Sequence, residues 1–404
     1  MKRFLFILTA FWTIAGATVS CMDEPPYNPL PEPEPQVIVS PGFTEPELSF
    51  AFPDSQKKRY SYCPVVIEQE NGDRYVYMCA NQFKDPSLSN WDIIIDNIYM
   101  FIEHPDGTRT EEKSVLQPTI GTWDEHHTCD PSVIEGEFKM GGVSYRYAMF
   151  YTGCDFTDDY NQLGVAFSND LNADTWVKYP EPIVRKTWPE DGPQAIGSSK
   201  AWGVGQPSAI SLDKGGKVLL FYSVGDKNGT REMFRQIDMS DMDHFDEGKA
   251  LKVVNYGMKS LNGGQETLHN CSFALDSEAG KLLVAHPLHP FPNIYPTFIS
   301  SAVGVHHMSY EECMGSRGKW TQLGMIDKNI SGFPRNHNVG FMRDSYGHVR
   351  NYMNPTVYFT VSKQSPDVAL AVEHMAEWTY DIYRTTWDPE RVVPVEPDQN
   401  NTDK

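Results

Sequence analysis

The chain carries little positive charge. Its 404 residues include 34 lysines and arginines against 54 aspartates and glutamates, which gives a formal net charge of −20 at pH 7. A basic surface is the electrostatic signature of proteins that bind nucleic acid or anionic lipid. We therefore expect neither as a partner, and a strongly anionic polysaccharide is disfavoured for the same reason.

The sequence also lacks a convincing transmembrane segment and the cysteine spacing of a metal cluster. The apolar stretch from Phe4 to Val19 is too short, and too near the N-terminus, for a membrane span. None of the seven cysteines belongs to a CxxC pair, so we expect no metal cluster. The six cysteines after Cys21 are expected to be mostly buried free thiols with one disulfide at most, which the sequence does not decide.

Long helical periodicity is nearly absent, and a short phrase recurs five times instead. Each copy has a small or polar residue, a short apolar run, a Gly-bearing turn and a second apolar strand. The copies open at Cys63, Asp130, Gln206, Asn270 and Asn338. A period of roughly 65–75 residues built from strand–turn–strand units is typical of propeller blades. The sequence therefore predicts an all-β, single-domain, five-bladed β-propeller. The polar residues that open each inner strand are expected to converge on a shallow pocket at its axis.

The N-terminus has the features of a lipoprotein signal. Lys2 and Arg3 precede the apolar stretch, which ends in Thr18-Val19-Ser20-Cys21 and resembles a bacterial lipobox. The acidic Asp23 and Glu24 resemble the surface-export signal of Bacteroidetes lipoproteins. We expect an outer-membrane lipoprotein at the cell surface or facing the periplasm, a monomer attached to the membrane only through its lipid. An ordinary signal peptide with an incidental cysteine is the alternative.

This organisation predicts four segments. They are a signal peptide (1–20), the lipidated Cys21 with a Pro-rich tether (21–45), the propeller (46–394) and a disordered tail (395–404). Proline cannot continue a helix or a hydrogen-bonded ladder, which makes the tether an extended spacer.

The second repeat carries a family resemblance. Its segments are Asp130-Pro131-Ser132-Val133, Met149-Phe150-Tyr151-Thr152-Gly153, Gly164-Val165-Ala166-Phe167-Ser168 and Trp176-Val177-Lys178. They resemble successive strands of a blade in the five-bladed propeller glycosidases, the superfamily of arabinanases, xylosidases, invertases and mannoside phosphorylases. The resemblance implies a glycoside hydrolase that acts on an oligo- or polysaccharide of plant or host origin.

The resemblance also implies where catalytic carboxylates should lie. In the arabinanase and xylosidase branch, a base Asp opens the first blade, a pKa-tuning Asp the second and an acid Glu the third. Only the second is kept here, as Asp130, because Cys63 and Gln206 occupy the other two openings. This departure favours a rival hypothesis, a non-catalytic glycan-binding lipoprotein that lacks the acid–base pair.

Hydrolysis of a glycosidic bond requires a second carboxyl group. Glu266 lies just before the fourth inner strand and Asp124 just before the second, whereas Asp96 precedes the third strand of blade 1 and is less well placed. We predict that Glu266 faces Asp130 at a separation nearer the inverting range, about 6.5–9.5 Å. Asp124 is the alternative partner.

Polar and aromatic residues near the openings are candidates for binding sugar. They are Gln206, His127, His269, Arg335, His337, Trp123 and Trp202. In related propellers a histidine at the position of His337 holds a central ion or water, and calcium is the ion expected if one is bound. A zinc site of His126, His127 and Asp130 is disfavoured, because adjacent residues of a strand point to opposite faces. No other cofactor is expected.

Overall fold

The structure is a computed structural model that describes residues 37–39, 41–53, 59–82, 95–155, 160–185, 202–226, 228–293, 297–364 and 378–394. The predicted signal peptide, Cys21 and the predicted tail lie outside these residues. The chain divides into two compact units, residues 1–38 with 393–404 and residues 39–392. Strands β1 (Val37–Val39) and β23 (Val392–Pro394) pair in a two-stranded sheet of their own.

The unit of residues 39–392 contains successive antiparallel sheets, numbered here as blades in chain order. Blade 1 consists of β4 (Ser61–Glu68), β5 (Arg74–Gln82), β6 (Ile95–Glu103) and β7 (Lys113–Leu116). Blade 2 consists of β8 (His127–Met140), β9 (Val143–Cys154), β10 (Gln162–Ser168) and β11 (Val177–Lys178). Blade 3 consists of β12 (Gly203–Ser211), β13 (Lys217–Asp226), β14 (Gly229–Asp238) and β15 (Leu251–Lys252). Blade 4 consists of β16 (Ser272–Asp276), β17 (Lys281–Pro287), β18 (Val303–Ser309) and β19 (Thr321–Ile326).

Blade 5 combines strands from both ends of this unit. Its strands are β20 (Arg335–Arg343), β21 (Thr356–Gln364) and β22 (Trp378–Asp388), with β2 (Gly42–Phe43) and β3 (Glu47–Phe50) paired on the outer edge of β22. The innermost strands of blades 5 and 1 pair in parallel for two residues, which closes the ring. The N-terminal strands thus complete the outer edge of the last blade, whose other strands come from the C-terminal part of the unit. The predicted all-β, five-bladed propeller is confirmed.

The sheet begins earlier than the boundary predicted at residue 46. Strand β2 falls within the segment assigned to the tether, because Phe43 is buried and its ring packs edge-on against Trp387 at 5.2 Å. Helical structure in the described residues is confined to α1 (Tyr310–Met314), α2 (Lys328–Ser331) and a 3-10 turn at Met242–His244. No helix in this part of the chain is both long and apolar enough to cross a bilayer.

Adjacent blades are joined by apolar packing and by one recurrent hydrogen bond. The rings of Phe221 and Phe273, from blades 3 and 4, stack at 3.8 Å in the buried core. The serine of the repeated phrase accepts a backbone N–H from the inner strand of the next blade. The three pairs are Ser132 with Ala209, Ser208 with Phe273 and Ser272 with Phe341. This interlock is the physical reason for the serine in the repeat and fixes the inner strands around the axis.

Candidate active site at the propeller axis

The five residues that open the repeats share one unusual backbone conformation. Their φ angles are 50° at Cys63, 49° at Asp130, 57° at Gln206, 50° at Asn270 and 42° at Asn338. Residues other than glycine seldom adopt this left-handed region. In blades 1, 2, 3 and 5 the inner ladder also shifts register at this point, which marks a β-bulge. A bulge redirects a side chain out of the ladder, and here it points the side chains toward the axis.

The strained openings are held by side chains of the preceding blade. In three cases a side chain on the second strand of one blade accepts the backbone N–H of the next blade's opening residue. The pairs are Cys79 with Asp130 at 2.7 Å, Thr152 with Gln206 at 2.8 Å and Ser223 with Asn270 at 2.8 Å. Strained backbone persists where its surroundings over-determine it, and such positions cluster at functional sites.

Two neighbouring cavities lie at the axis. The first, the axial channel, is lined by the opening residues Cys63, Asp130, Gln206 and Asn270, with Arg343 among the other lining residues. The second, the axial pocket, has a volume of about 180 Å³. Side chains that line the axial pocket include Tyr62, His269, Phe291, Phe298, His337 and Tyr380. Gln206 and Asn270 line both cavities, so the channel and the pocket adjoin each other.

The axial pocket is lined by a mixture of polar and apolar side chains, and its two histidines are uncharged. Burial lowers the pKa of His269 to about 3, with a further contribution from the nearby His289. Burial likewise lowers the pKa of His337 to about 4. Both imidazoles are therefore neutral at pH 7. The Oε1 atom of Gln206 is buried and accepts no hydrogen bond from the described residues, which leaves it able to accept one from a ligand.

Asp130 is surrounded by thiols. Its Oδ1 atom lies 2.8 Å from Sγ of Cys63 and 3.9 Å from Sγ of Cys79, and its Oδ2 atom lies 3.6 Å from Sγ of Cys129. Burial raises the pKa of Cys63 to about 12, and the charge of Asp130 adds to the effect. The sulfur is thus a protonated donor at neutral pH. The six described cysteines are buried and form no disulfide with one another.

Asp96 is the second carboxyl group that the structure associates with Asp130. It is buried, and its two oxygens accept hydrogen bonds from the hydroxyls of Tyr60 at 2.6 Å and Tyr62 at 2.7 Å. Burial raises the pKa of Asp96, while the nearby His127 and the hydrogen bonds from the two tyrosines oppose this shift, and the charge of Asp130 makes a smaller upward contribution. Its low rank among the sequence candidates reflected its place on the third strand, but Tyr62 connects it to the axial pocket.

Glu266 contributes to the site indirectly. Its Oε1 accepts from the backbone N–H of Thr267 at 2.7 Å and contacts Nδ1 of His289 at 2.6 Å, and its Oε2 accepts from the His289 N–H at 3.0 Å. Burial opposes ionisation, but these hydrogen bonds outweigh it and lower the pKa of Glu266. Glu266 is absent from the described residues that line either cavity. It orients His289, whose Nε2 lies 3.2 Å from Nε2 of His269 in the pocket.

Asp124, the alternative partner, is part of a structural ion pair. Its Oδ2 atom lies 2.5 Å from Nζ of Lys178 and accepts from the Tyr151 hydroxyl, while its Oδ1 accepts from Thr122. The carboxylate is buried and is absent from the described residues lining the two cavities. Its neighbour Trp123 stacks on Tyr151 at 5.6 Å, so this predicted sugar-binding tryptophan serves in packing within the blade.

Some of the remaining predicted binding residues line the axial pocket, and others lie outside its lining. Gln206, His269 and His337 line the pocket. Trp202 packs against the backbone at Gly225, where a Cβ atom would fall 2.1 Å from its indole nitrogen. Burial lowers the pKa of Arg335 at the start of β20. These two residues are absent from the described residues that line the pocket.

The expectation about an ion at His337 stays a prediction. Its Nδ1 lies 2.6 Å from Oδ1 of Asn338 and its Nε2 lies 2.8 Å from Oγ of Ser362. Sequence reasoning missed other pocket residues, among them Tyr380, Phe291 and Phe298. Tyr380 lies far along the chain from the first blade, and no repeat signal marks it. The two phenylalanines belong to the connection between β17 and β18, a rim insertion whose course the sequence does not indicate.

No protein-family profile matches the chain, and no curated protein matches its sequence. Solved structures do match its fold. A family 117 glycoside hydrolase of the marine bacterium Zobellia galactanivorans aligns with a TM-score of 0.55 and 11% identity over 87% of this chain and 91% of its own. The α-L-arabinofuranosidase of Podospora anserina aligns with a TM-score of 0.52 and 11% identity over 86% and 96%. The family 62 α-L-arabinofuranosidase of Coprinopsis cinerea aligns with a TM-score of 0.52 and 11% identity over 86% of this chain and 97% of its own. The chain therefore has the five-bladed β-propeller fold of these glycoside hydrolases.

Proposed function

We propose that the protein is a glycoside hydrolase that binds an uncharged sugar unit in the axial pocket and cleaves its glycosidic bond. The observation that carries this proposal is the position of Tyr62, which lines the axial pocket and is hydrogen-bonded at 2.7 Å to the buried Asp96, while Asp130 lines the adjoining axial channel. Acid–base hydrolysis requires one group that gives a proton to the leaving group and one that takes a proton from water.

Asp96 and Tyr62 supply the acid in this proposal. Tyr62 lines the pocket, and its hydroxyl is hydrogen-bonded to Asp96 at 2.7 Å. Burial raises the pKa of Tyr62, which keeps the phenol protonated. The relay uses the protonated form of Asp96, in which the direction of this hydrogen bond is reversed: Tyr62 gives its proton to the leaving-group oxygen as the glycosidic C–O bond breaks, and takes a proton back from the carboxylic acid of Asp96.

Asp130 supplies the base. Its half-buried carboxylate lines the axial channel. It removes a proton from the water whose oxygen forms the new bond to the sugar carbon. Cys63 and the other thiol donors hold the carboxylate in place. The net change is the addition of one water across the glycosidic bond, with protons passing from water to Asp130 and from Asp96, through Tyr62, to the leaving group.

The pocket lining favours a neutral sugar. His269 and His337 are uncharged at pH 7, and Gln206 Oε1 is able to accept a hydroxyl hydrogen bond. Phe298 lines the pocket while 47% of it stays exposed, as expected of a ring that stacks on a sugar face. The volume, about 180 Å³, is below that of drug-sized sites, about 300–1,000 Å³, and suits one sugar unit.

Glycan binding without hydrolysis is the second candidate. It is favoured by the composition of the axial ring, in which Asp130 is the one carboxylate among the five opening residues. The predicted partner Glu266 is engaged by His289 and Thr267. Under this function the same pocket binds the same class of sugar, and Asp130 contributes only hydrogen bonds.

A panel of neutral plant and host polysaccharides separates these functions. It should include arabinose-bearing substrates, since two of the aligned structures are α-L-arabinofuranosidases. New reducing ends and retained ligand are measured for the wild type, for Asp130→Asn and for the exposed control Asp174→Asn. A hydrolase should lose about 10²–10⁴-fold in turnover with Asp130→Asn, and the control should match the wild type. Retention without cleavage by the wild type would establish the binding function.

We also propose that the protein is lipidated at Cys21 and displayed on the outer membrane of a polysaccharide-foraging bacterium. Support comes from the lipobox-like Thr18-Val19-Ser20-Cys21, the acidic residues after it and the Pro-rich segment that follows. A tethered hydrolase at the cell surface meets polymers that are too large to enter the cell.

A further inference from the structure

Two histidines and a cysteine converge at the end of blade 2 where β8 begins and β9 ends. Nδ1 of His126 lies 3.7 Å from Sγ of Cys154, and Nδ1 of His127 lies 3.8 Å from the same sulfur. The imidazole rings stack with centroids 5.5 Å apart. All three donor atoms lie within 4.8 Å of one another. These residues belong neither to the axial channel nor to the axial pocket as the described residues define them.

The local backbone explains why the histidines share one side. Adjacent residues inside a strand point to opposite faces, and this rule disfavoured zinc at the sequence level. Strand β8 begins at His127, so His126 precedes the strand and escapes the alternation. The His126 backbone N–H donates to the carbonyl of Cys154 at 3.0 Å, and His127 is the ladder partner of Cys154. Both imidazoles are thereby placed over the same thiol.

The separations match those of a tetrahedral metal. Bond lengths of about 2.3 Å to sulfur and 2.0–2.1 Å to nitrogen place the two ligand atoms about 3.6 Å apart at the tetrahedral angle. The observed distances of 3.7 and 3.8 Å are within 0.2 Å of this value. A single S–H donates to one acceptor at a time, so the thiol proton alone does not account for two nitrogens at equal range.

A second contact sets the tautomer of His127. Its Nε2 atom lies 3.1 Å from Oδ1 of Asn161. An amide oxygen only accepts, so Nε2 carries the proton and Nδ1 presents its lone pair toward Cys154. Ligating histidines in metal sites make this kind of outer hydrogen bond, which fixes the ring and its tautomer. The Asn161 backbone bonds to Trp202 and Val204 of blade 3, which fixes the amide in turn.

We propose that His126 Nδ1, His127 Nδ1 and Cys154 Sγ bind a zinc ion at the rim of blade 2. Imidazole together with thiolate is a ligand set that suits zinc, and three protein ligands leave a fourth position for water or another ligand. Binding displaces the thiol proton of Cys154, and the thiolate becomes a ligand. None of the three ligands is among the described residues that line the axial channel or the axial pocket. His127 is near enough to Asp96 to lower the pKa of that carboxyl group, so the test measures metal binding directly and does not depend on hydrolysis.

Cobalt substitution tests this assignment. The full-length protein is stripped with a chelator and titrated with Co²⁺. The expected result is one equivalent bound, with a sulfur-to-cobalt charge-transfer band in the near ultraviolet and intense visible bands of tetrahedral Co²⁺. Zinc should displace the cobalt. Cys154→Ser should abolish the charge-transfer band. Asn161→Ala should lower the cobalt affinity by about 10–100-fold, and His126→Gln should lower it further.

Cys63→Ser is the matched control, because Cys63, Cys79 and Asp130 form the other cluster of closely spaced donors in the described residues. It should leave the cobalt spectrum unchanged. A band that survives Cys154→Ser, or is lost in Cys63→Ser, assigns the ion to the axial thiols and overturns the proposal, as does the absence of stoichiometric binding. Circular dichroism and thermal unfolding check the fold of each variant. If Cys154→Ser fails to fold, the graded effects of His126→Gln and Asn161→Ala decide the question.

Discussion

The hydroxyl of Tyr62 donates a 2.7 Å hydrogen bond to Oδ2 of Asp96, and this bond links a side chain of the axial pocket to a buried carboxyl group. Tyr60 donates to the other oxygen of Asp96 at 2.6 Å but is fully buried and is absent from the described residues that line the pocket. Two tyrosines thus make the same contact with Asp96, and only Tyr62 reaches the pocket.

Tyr62→Phe should therefore lower turnover by about 10²–10⁴-fold, because the proton of Asp96 loses its path to the leaving group. Tyr60→Phe is the control and should keep most of the turnover. The Tyr60 hydrogen bond lowers the pKa of Asp96, so its loss should move the alkaline limb of the kcat/KM profile to higher pH. Equal losses in both variants would contradict the relay, since a merely structural role does not distinguish the two phenols.

Glu266→Gln tests whether this residue is catalytic, as its sequence position suggested, or orients His289. An orienting role predicts a change in KM for the sugar with less than about a tenfold change in kcat, well below the 10²–10⁴-fold typical of a lost acid or base. Its stability should fall by roughly 1.5–3 kcal/mol, the usual range for hydrogen bonds to a charged group. Denaturant unfolding and steady-state kinetics on the same preparations provide both readings. A loss of kcat as large as that of Asp130→Asn would show that Glu266 is a catalytic residue.

Glu232 makes the stability of the fold depend on pH. It is buried on β14 of blade 3 and accepts a hydrogen bond from the Ser223 hydroxyl at 2.7 Å, and burial raises its pKa from 4.5 to about 8. Because the folded-state pKa is above the unfolded one, the stabilisation is complete below pH 4.5 and is lost as pH rises through about 8. Glu232→Gln should be more stable than the wild type at pH 8.5 by about 2 kcal/mol or more, and similar to it near pH 4.5. Urea unfolding across this range measures the difference.

The exposed Glu278→Gln serves as the control for Glu232 and should follow the wild-type curve at every pH. A Glu232→Gln variant with unchanged pH dependence would show that Glu232 is ionised in the folded protein. The protonation state of Glu232 bears on the candidate active site, because Ser223 also accepts a hydrogen bond from the backbone N–H of Asn270 at 2.8 Å. The protonated carboxyl group thus belongs to the support of an axial residue.

Cys21→Ala tests the proposed anchor. The acyl chains are the expected membrane attachment, so the variant should move from the membrane fraction to the soluble fraction. Labelling with a radioactive or clickable fatty acid should be lost in parallel. Retention of the variant in membranes would mean that the apolar stretch from Phe4 to Val19 stays in place as the anchor. Catalysis by the propeller is expected to be unchanged, which separates this result from the functional proposal.

The sequence by itself determined the repeat and the residues that open it. Cys63, Asp130, Gln206, Asn270 and Asn338 were identified from the local pattern, and all five share the left-handed backbone at the axis. Strand, turn and bulge depend on neighbours close along the chain, and a blade is one such local unit repeated. The axial positions are therefore encoded within each repeat.

Only the tertiary structure showed what each candidate partner of Asp130 contacts. Glu266 and Asp124 ranked above Asp96 because they lie close to an opening along the chain. Glu266 is instead bound by His289, and Asp124 by Lys178, whereas Asp96 reaches the pocket through Tyr62. Proximity in sequence places a backbone, but the partners of a side chain depend on which strands and connections fold against it within the blade. Ring closure adds contacts between blades: it places Tyr380 of the last blade against Tyr62 of the first, at a ring separation of 6.3 Å, a contact that no local pattern specifies.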